Sequence, residues 1–386
     1  TNHDINPSRK PMRHPLALLM VCVVQSGAAE TPPRLPAGLQ SSFAPPAKFA
    51  GQLGNYASPL KFHDGRPVAS AAEWPARRAE ILEYWHEQMG PWPPLLEKPR
   101  IEYVKTERRE NFTQHRVRVE MASGLMHPAI LLVPHGDGPF PAVVVPYYDA
   151  ETGAGLGKEL RDFGHQLTKR GFVALSIGAC PPRRDRKAEA TIQRLSFEAY
   201  GAANCHTALA SLKTVDARRI GIIGHSYGGK WAMFASCLHE KFACGVWSDG
   251  GIVFDESRGN VNYWEPWYLG FDPSTERKRG LVTPDNPRTG AYRTIFEGGH
   301  DLHELHALMA PRPFLVSGGA EDFPARWVAL NHAIAVNRFL GYKDRVAMTN
   351  RQEHPPNQES NEQAFRFLEF ALGPVATPRS AADLEE

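Results

Sequence analysis

The chain of 386 residues is long enough for one large α/β domain or two of average size. Its 42% hydrophobic and 22% charged residues describe a globular protein, and a formal net charge of +2 with scattered Lys and Arg excludes a basic nucleic-acid footprint. No apolar run reaches the length that spans a bilayer, so no membrane span is expected.

Near the N-terminus, MRHPLALLMVCVVQSGAAE begins at Met12 with a basic Arg13. An apolar core from Leu16 to Val24 follows, then the small residues Gly27 to Ala29. That order is the pattern of a secretory signal peptide within residues 1–29, so a secreted or periplasmic location is expected. Beyond it lie Cys180, Cys205, Cys237 and Cys244. An oxidising compartment permits disulfides among them, while buried thiols suit scattered cysteines in a large core equally well.

Residues 30–70 are rich in Pro, Gly, Ser and Ala and read as an extended lead-in. Ala71 to Met89 has helical periodicity, with Ile81, Leu82 and Trp85 on one side. Strands are predicted at Ile101 to Arg108, Phe112 to Met121 and His127 to Val133. Pro141 to Tyr147 is a continuous apolar run, as a fully buried strand requires. The chain then alternates. A helix from Leu160 to Arg170 precedes strand Phe172 to Ile177, and a helix from Ser196 to Leu212 precedes strand Arg219 to Gly224. A helix over Lys230 to His239 leads to strand Phe242 to Trp247. Strand Pro313 to Val316, helix Ala325 to Leu340, strand Arg345 to Thr349 and helix Glu359 to Leu372 close the series. This rhythm predicts an α/β fold, a mostly parallel sheet covered on both faces, in one domain over residues 71–375 with a tail at 376–386. Residues 250–300 break the rhythm with turns and aromatics (Tyr263, Trp264, Trp267, Tyr268). They are expected to cap the C-terminal edge of the sheet, where α/β sites form.

Arg219 to Phe234 reads RIGIIGHSYGGKWAMF. Gly224-His225-Ser226-Tyr227-Gly228 joins a buried strand to a helix, the tight turn that exposes a nucleophilic serine. A serine hydroxyl needs a base, and the base needs a carboxylate to orient it. In such a sheet the chain order is serine, acid, histidine. His354, in the loop after the last predicted strand, is the expected base. Asp322, in SGGAEDFPA after strand Pro313 to Val316, is ranked first as the acid. Asp249, in WSDGG, is the alternative. The N–H of Tyr227, at the positive end of its helix, is one expected oxyanion donor. A second is expected near Tyr148 and Asp149. Together these residues predict acyl transfer in two steps.

The run His300-Asp301-Leu302-His303-Glu304-Leu305-His306 is dense in metal-ligand types. Histidines three apart twice over drift around a helix instead of meeting on one face, so no metal is expected. No cofactor is expected either.

These features resemble the α/β-hydrolase superfamily from about residue 70 onward. Within it, the chain resembles carbohydrate esterases of the glucuronoyl esterase type (family 15) and related acetyl xylan esterase-like proteins. GHSYGGK matches that family's Gly-x-Ser-x-x-Gly-Lys, which implies that Lys230 contacts sugar hydroxyls. NYWEPW resembles the aromatic segment over the sugar site and implies that Trp264 lies there. DLHELHALMAPRPFLVSGGAED places Asp301 and His303 in matching positions. Tyr227 stands where the family usually has arginine, and the family's acid follows either strand. The expected function is an exported serine esterase acting on a polysaccharide or sugar-derivative ester, with Lys230, Trp264, Trp267 and His303 as substrate contacts. The alternatives are a serine peptidase or lactone hydrolase on the same residues, or a non-catalytic carbohydrate-binding relative.

Overall fold

The computed structural model describes residues 35–181 and 191–374. The leader expected over residues 1–29 and the tail over 376–386 lie outside them.

In chain order the strands are β1 (Ile101–Arg108), β2 (Phe112–Ala122), β3 (Leu125–Pro134), β4 (Phe140–Pro146), β5 (Val173–Ile177), β6 (Val215–His225), β7 (Cys244–Ser248), β8 (Phe314–Gly318) and β9 (Val346–Asn350). Among the described residues they form one nine-stranded sheet in the order β1-β2-β3-β5-β4-β6-β7-β8-β9. Pairing is antiparallel from β1 to β5 and parallel from there to β9. Composition explains the division. β4, β5, β7 and β8 are buried at every residue, as strands covered on both faces must be. The edge strand β1 is mostly exposed and carries Glu102, Lys105 and Glu107, charges that blunt further strand pairing.

The helices are α1 (Trp74–Met89), α2 (Ala150–Gly153), α3 (Phe163–Lys169), α4 (Arg194–Ala210), α5 (Tyr227–Leu238), α6 (Gly290–Glu297), α7 (His303–Ala307), α8 (Trp327–Phe339) and α9 (Gln358–Leu372). One core packs α1, α4, α5 and α8 against the sheet, and a second packs α3 and α9 against its other face. The period of two in β4 serves both. Ala142 and Val144 enter the first core, Val143 and Val145 the second.

The helix expected from Leu160 begins at Phe163 instead, because Leu160 takes a positive φ of 60° that cannot start a right-handed turn. Cys205, Cys237 and Cys244 are buried thiols. Between β7 and β8 the chain runs mostly as turns, with α6 and α7 near its end. Its aromatics are largely interior. Tyr263 stacks on Phe234 of α5 with ring centres 6.1 Å apart, and Tyr292 packs against Trp264 at 6.0 Å.

Candidate active site

Ser226 sits between β6 and α5 at φ 57° and ψ −117°, a backbone conformation that strains any residue with a Cβ. The glycines beside it leave no room for larger residues. A Cβ on Gly224 would lie 2.1 Å from the Gly228 carbonyl oxygen, and one on Gly228 would lie 2.1 Å from that of Pro146. Two backbone bonds hold the bend: Ser226 N–H donates to Ser248 O at 2.8 Å, and Lys230 N–H donates to Ser226 O at 3.0 Å.

The bend aims Ser226 Oγ at His354 Nε2, 2.9 Å away. His354 Nδ1 lies 2.7 Å from Asp249 Oδ2, and a carboxylate at that distance makes Nδ1 the protonated nitrogen and leaves Nε2 to accept the serine proton. Arg351 fixes the histidine loop. Its guanidinium donates to Ser317 O at 2.9 Å, to His354 O at 2.6 Å and to Pro355 O at 2.8 Å.

The carboxylate ranked first from the sequence faces elsewhere. Asp322 accepts from Ile252 N–H at 2.7 Å and Gly251 N–H at 2.9 Å, and so holds the chain that follows Asp249. In return Asp249 Oδ1 accepts the N–H of Asp322 at 2.8 Å and of Glu321 at 3.1 Å. The strand order accounts for this. β7 neighbours β6 and delivers Asp249 beside Ser226, whereas β8 is one strand further away. Asp249 also takes a positive φ of 47°, which turns the chain sharply at the strand end. Burial, reinforced by the Asp249 charge, pushes the Asp322 carboxyl up to about 6.

Tyr227 opens α5, so its N–H has no acceptor within the helix and lies at the helix's positive end. Its ring is buried, and its hydroxyl donates to Glu198 Oε1 at 3.0 Å. Glu198 also accepts Cys180 N–H at 3.1 Å, and burial raises its carboxyl to about 7. Tyr148 is 54% exposed at the cleft, with its ring 5.3 Å from that of Tyr227. The Asp149 side chain is engaged elsewhere, capping α2 through Thr152 N–H at 2.7 Å.

A cleft of about 500 Å³ opens on Ser226 and His354. Lys230 lines it although nearly all of its side chain is buried. The ammonium donates to Gly250 O and, at 3.4 Å, to Asn260 O, and it lies 4.7 Å from the centre of the Tyr263 ring. Burial lowers its pKa to about 8, against the pull of Asp322, Glu321 and Asp249 behind it. Trp267 lines the cleft as well.

Trp264 and His303 do not. Trp264 is 1% exposed and donates from its indole to Gly280 O at 2.9 Å. His303 is buried and donates from Nε2 to Ala57 O at 2.6 Å. Their neighbours in the histidine run diverge too. His300 meets Glu304 at 2.9 Å, and His306 packs against Trp247 with ring centres 5.3 Å apart. Among the described residues no group of three or more His, Cys, Asp or Glu is placed to hold a metal. Arg194 and Arg279 line the cleft without any motif in the sequence to mark them, and Asn262, the first residue of NYWEPW, lines it too.

The prolyl oligopeptidase family model matches residues 200–286, a span that contains the bend at Ser226 and Asp249. No curated protein sequence matches the chain. Among solved structures, a glucuronoyl esterase from Solibacter usitatus is similar at 19% identity, with 82% of this chain and 98% of that one covered and a TM-score of 0.64. A family 15 glucuronoyl esterase from Teredinibacter turnerae is similar at 19% identity, with coverage of 82% and 88% and a TM-score of 0.62. One from Caldicellulosiruptor kristjansonii is similar at 21% identity, with coverage of 84% and 92% and a TM-score of 0.59. With the parallel sheet and the strained serine turn, these likenesses show that the chain has the α/β-hydrolase fold.

Proposed function

We propose that the chain is a serine esterase that cleaves an ester on a polysaccharide or sugar derivative through an acyl-enzyme. The observation that carries this reading is the hydrogen-bonded run from Asp249 through His354 to Ser226, ending at an open cleft. His354 Nε2 takes the serine proton as Oγ attacks the ester carbonyl carbon. The resulting oxyanion meets the N–H of Tyr227, and the negative Asp249 stabilises the imidazolium. His354 then passes the proton to the departing alcohol oxygen. Water, deprotonated by the same nitrogen, attacks the acyl-serine and releases the acid.

Lys230 and Trp267 support a sugar as the group beside the ester. An ammonium donates to hydroxyls, and an indole face covers a sugar ring. The named activity of the glucuronoyl esterases with similar folds points the same way. Export belongs to the proposal on the strength of the Met12 to Ala29 pattern. Among the described residues no helix is long and apolar enough to cross a membrane.

The match to the prolyl oligopeptidase family supports a second reading, a peptidase on the same residues. Aryl acetates, alkyl esters of glucuronic acid and a prolyl peptide amide, assayed together, separate the two. Ester cleavage reduced about 10³-fold or more by Ser226→Ala is the expected result. Cleavage of the amide alone would favour the peptidase, and no turnover by the folded protein would overturn both.

A further inference from the structure

Beyond Ser226 the cleft is walled by three cationic side chains, Lys230, Arg194 and Arg279, together with Asn260 and Asn262. Among the described residues no Asp or Glu lines it. In the segment from Asp255 to Glu297, three arginines away from the cleft wall are paired with acids. Arg277 meets Glu265 at 3.1 Å, Arg288 meets Glu256 at 2.6 Å and Arg258 meets Glu321 at 3.2 Å. Arg279, which lines the cleft, is not among them. It is exposed, makes no ion pair among the described residues, and lies with its guanidinium 5.7 Å from the centre of the Trp267 ring. Arg194 makes one ion pair among the described residues, at 3.5 Å to Glu198. That carboxylate also serves the Tyr227 hydroxyl and the Cys180 N–H.

We infer that this cleft recognises a sugar bearing an anionic group, carboxylate or sulfate, in addition to the ester that is cleaved. The inference rests on the proposed esterase reading only for the position of the ester. Guanidinium groups bind planar or tetrahedral oxyanions through two parallel N–H bonds. Cations of one sign along a concave wall raise the local concentration of an anionic ligand. Trp267 supplies the apolar face for the ring, and Arg279 beside it reaches a charged substituent at the rim.

Binding to Ser226→Ala tests this without turnover, so its outcome is separate from that of the esterase assay. Glucose, glucuronate and glucose 3-sulfate are titrated calorimetrically at low salt and again at 0.5 M salt. The anionic sugars should bind about tenfold more tightly than glucose at low salt, with most of that preference screened at high salt. Arg279→Glu in the same background should abolish the preference, and circular dichroism checks that this substitution at an exposed position leaves the fold intact. A preference for sulfate alone or carboxylate alone assigns the anion. Equal binding of all three sugars, or a preference that survives Arg279→Glu, overturns the inference.

Discussion

The turns that follow β6 and β7 and the segment from Gly250 to His300 face the same cleft, yet they are held by opposite means. The turns are fixed by backbone. Positive φ angles at Ser226 and Asp249, glycines with no space for a Cβ, and N–H groups aimed at carbonyls and carboxylates set where Ser226 and Asp249 stand. The segment is fixed by side chains: the buried Arg277–Glu265 pair, the Tyr292 hydroxyl on Glu256 at 3.1 Å, and the Trp264 indole on Gly280 O. The difference teaches where each kind of function is stored. On the proposed reading, the reacting atoms need fixed geometry and sit at strand ends, whereas the surface proposed to meet the substrate can be re-cut by exchanging side chains.

The sharpest break in that comparison is between the two aspartates. Asp249→Asn should lower kcat by about 10³–10⁴-fold, since an amide neither holds the reactive tautomer nor stabilises an imidazolium. Asp322→Asn should leave kcat within about tenfold and instead cost about 1–3 kcal/mol in urea denaturation, because one of its two backbone N–H partners loses its acceptor. The reverse ranking in kcat would move the catalytic role to Asp322.

Two tryptophans three residues apart sharpen it further. Trp264→Ala should destabilise the chain by about 3–5 kcal/mol through the cavity it leaves. Trp267→Ala should change stability by less than about 1 kcal/mol while raising KM several-fold. Equal effects on stability would show that both serve only to pack the segment.

The smallest expected effect lies on Glu198, which ties Tyr227 to the loop after β5. Burial raises its carboxyl from an ordinary 4.5 to about 7, with Cys180 N–H and Arg194 acting in the other direction. The folded chain therefore binds more protons than the unfolded chain between these values. Its contribution to stability is full below about 4.5 and is lost as pH rises through about 7. Glu198→Gln should flatten that slope, so the variant gains on the wild type as pH is raised across the window. A difference in denaturation free energy that does not change with pH would contradict it.

Much of this architecture was legible because parallel strands advertise themselves. Buried runs such as the one ending at Gly224 fixed each strand to within a few residues, and chain order then pointed to Ser226 and His354 at the strand ends. The choice between Asp249 and Asp322 was not legible. Both follow neighbouring parallel strands, and the spatial strand order together with the carboxylate directions, set by a positive φ and a few backbone N–H groups, separates them. Trp264 and Trp267 lie in turns with no periodicity, so nothing in their spacing told interior from cleft. Lys230 was marked by its place after the serine. Arg194 and Arg279, distant in sequence, meet at the cleft only through the tertiary fold.

The most direct test of the proposed acyl-transfer centre is to treat the folded protein with a fluorophosphonate and locate the adduct by peptide mass. A single phosphonylated peptide containing Ser226, lost in Ser226→Ala and strongly slowed in His354→Ala, is the predicted result. No adduct on the folded chain, or one that persists in Ser226→Ala, would contradict the assignment of Ser226 as the nucleophile.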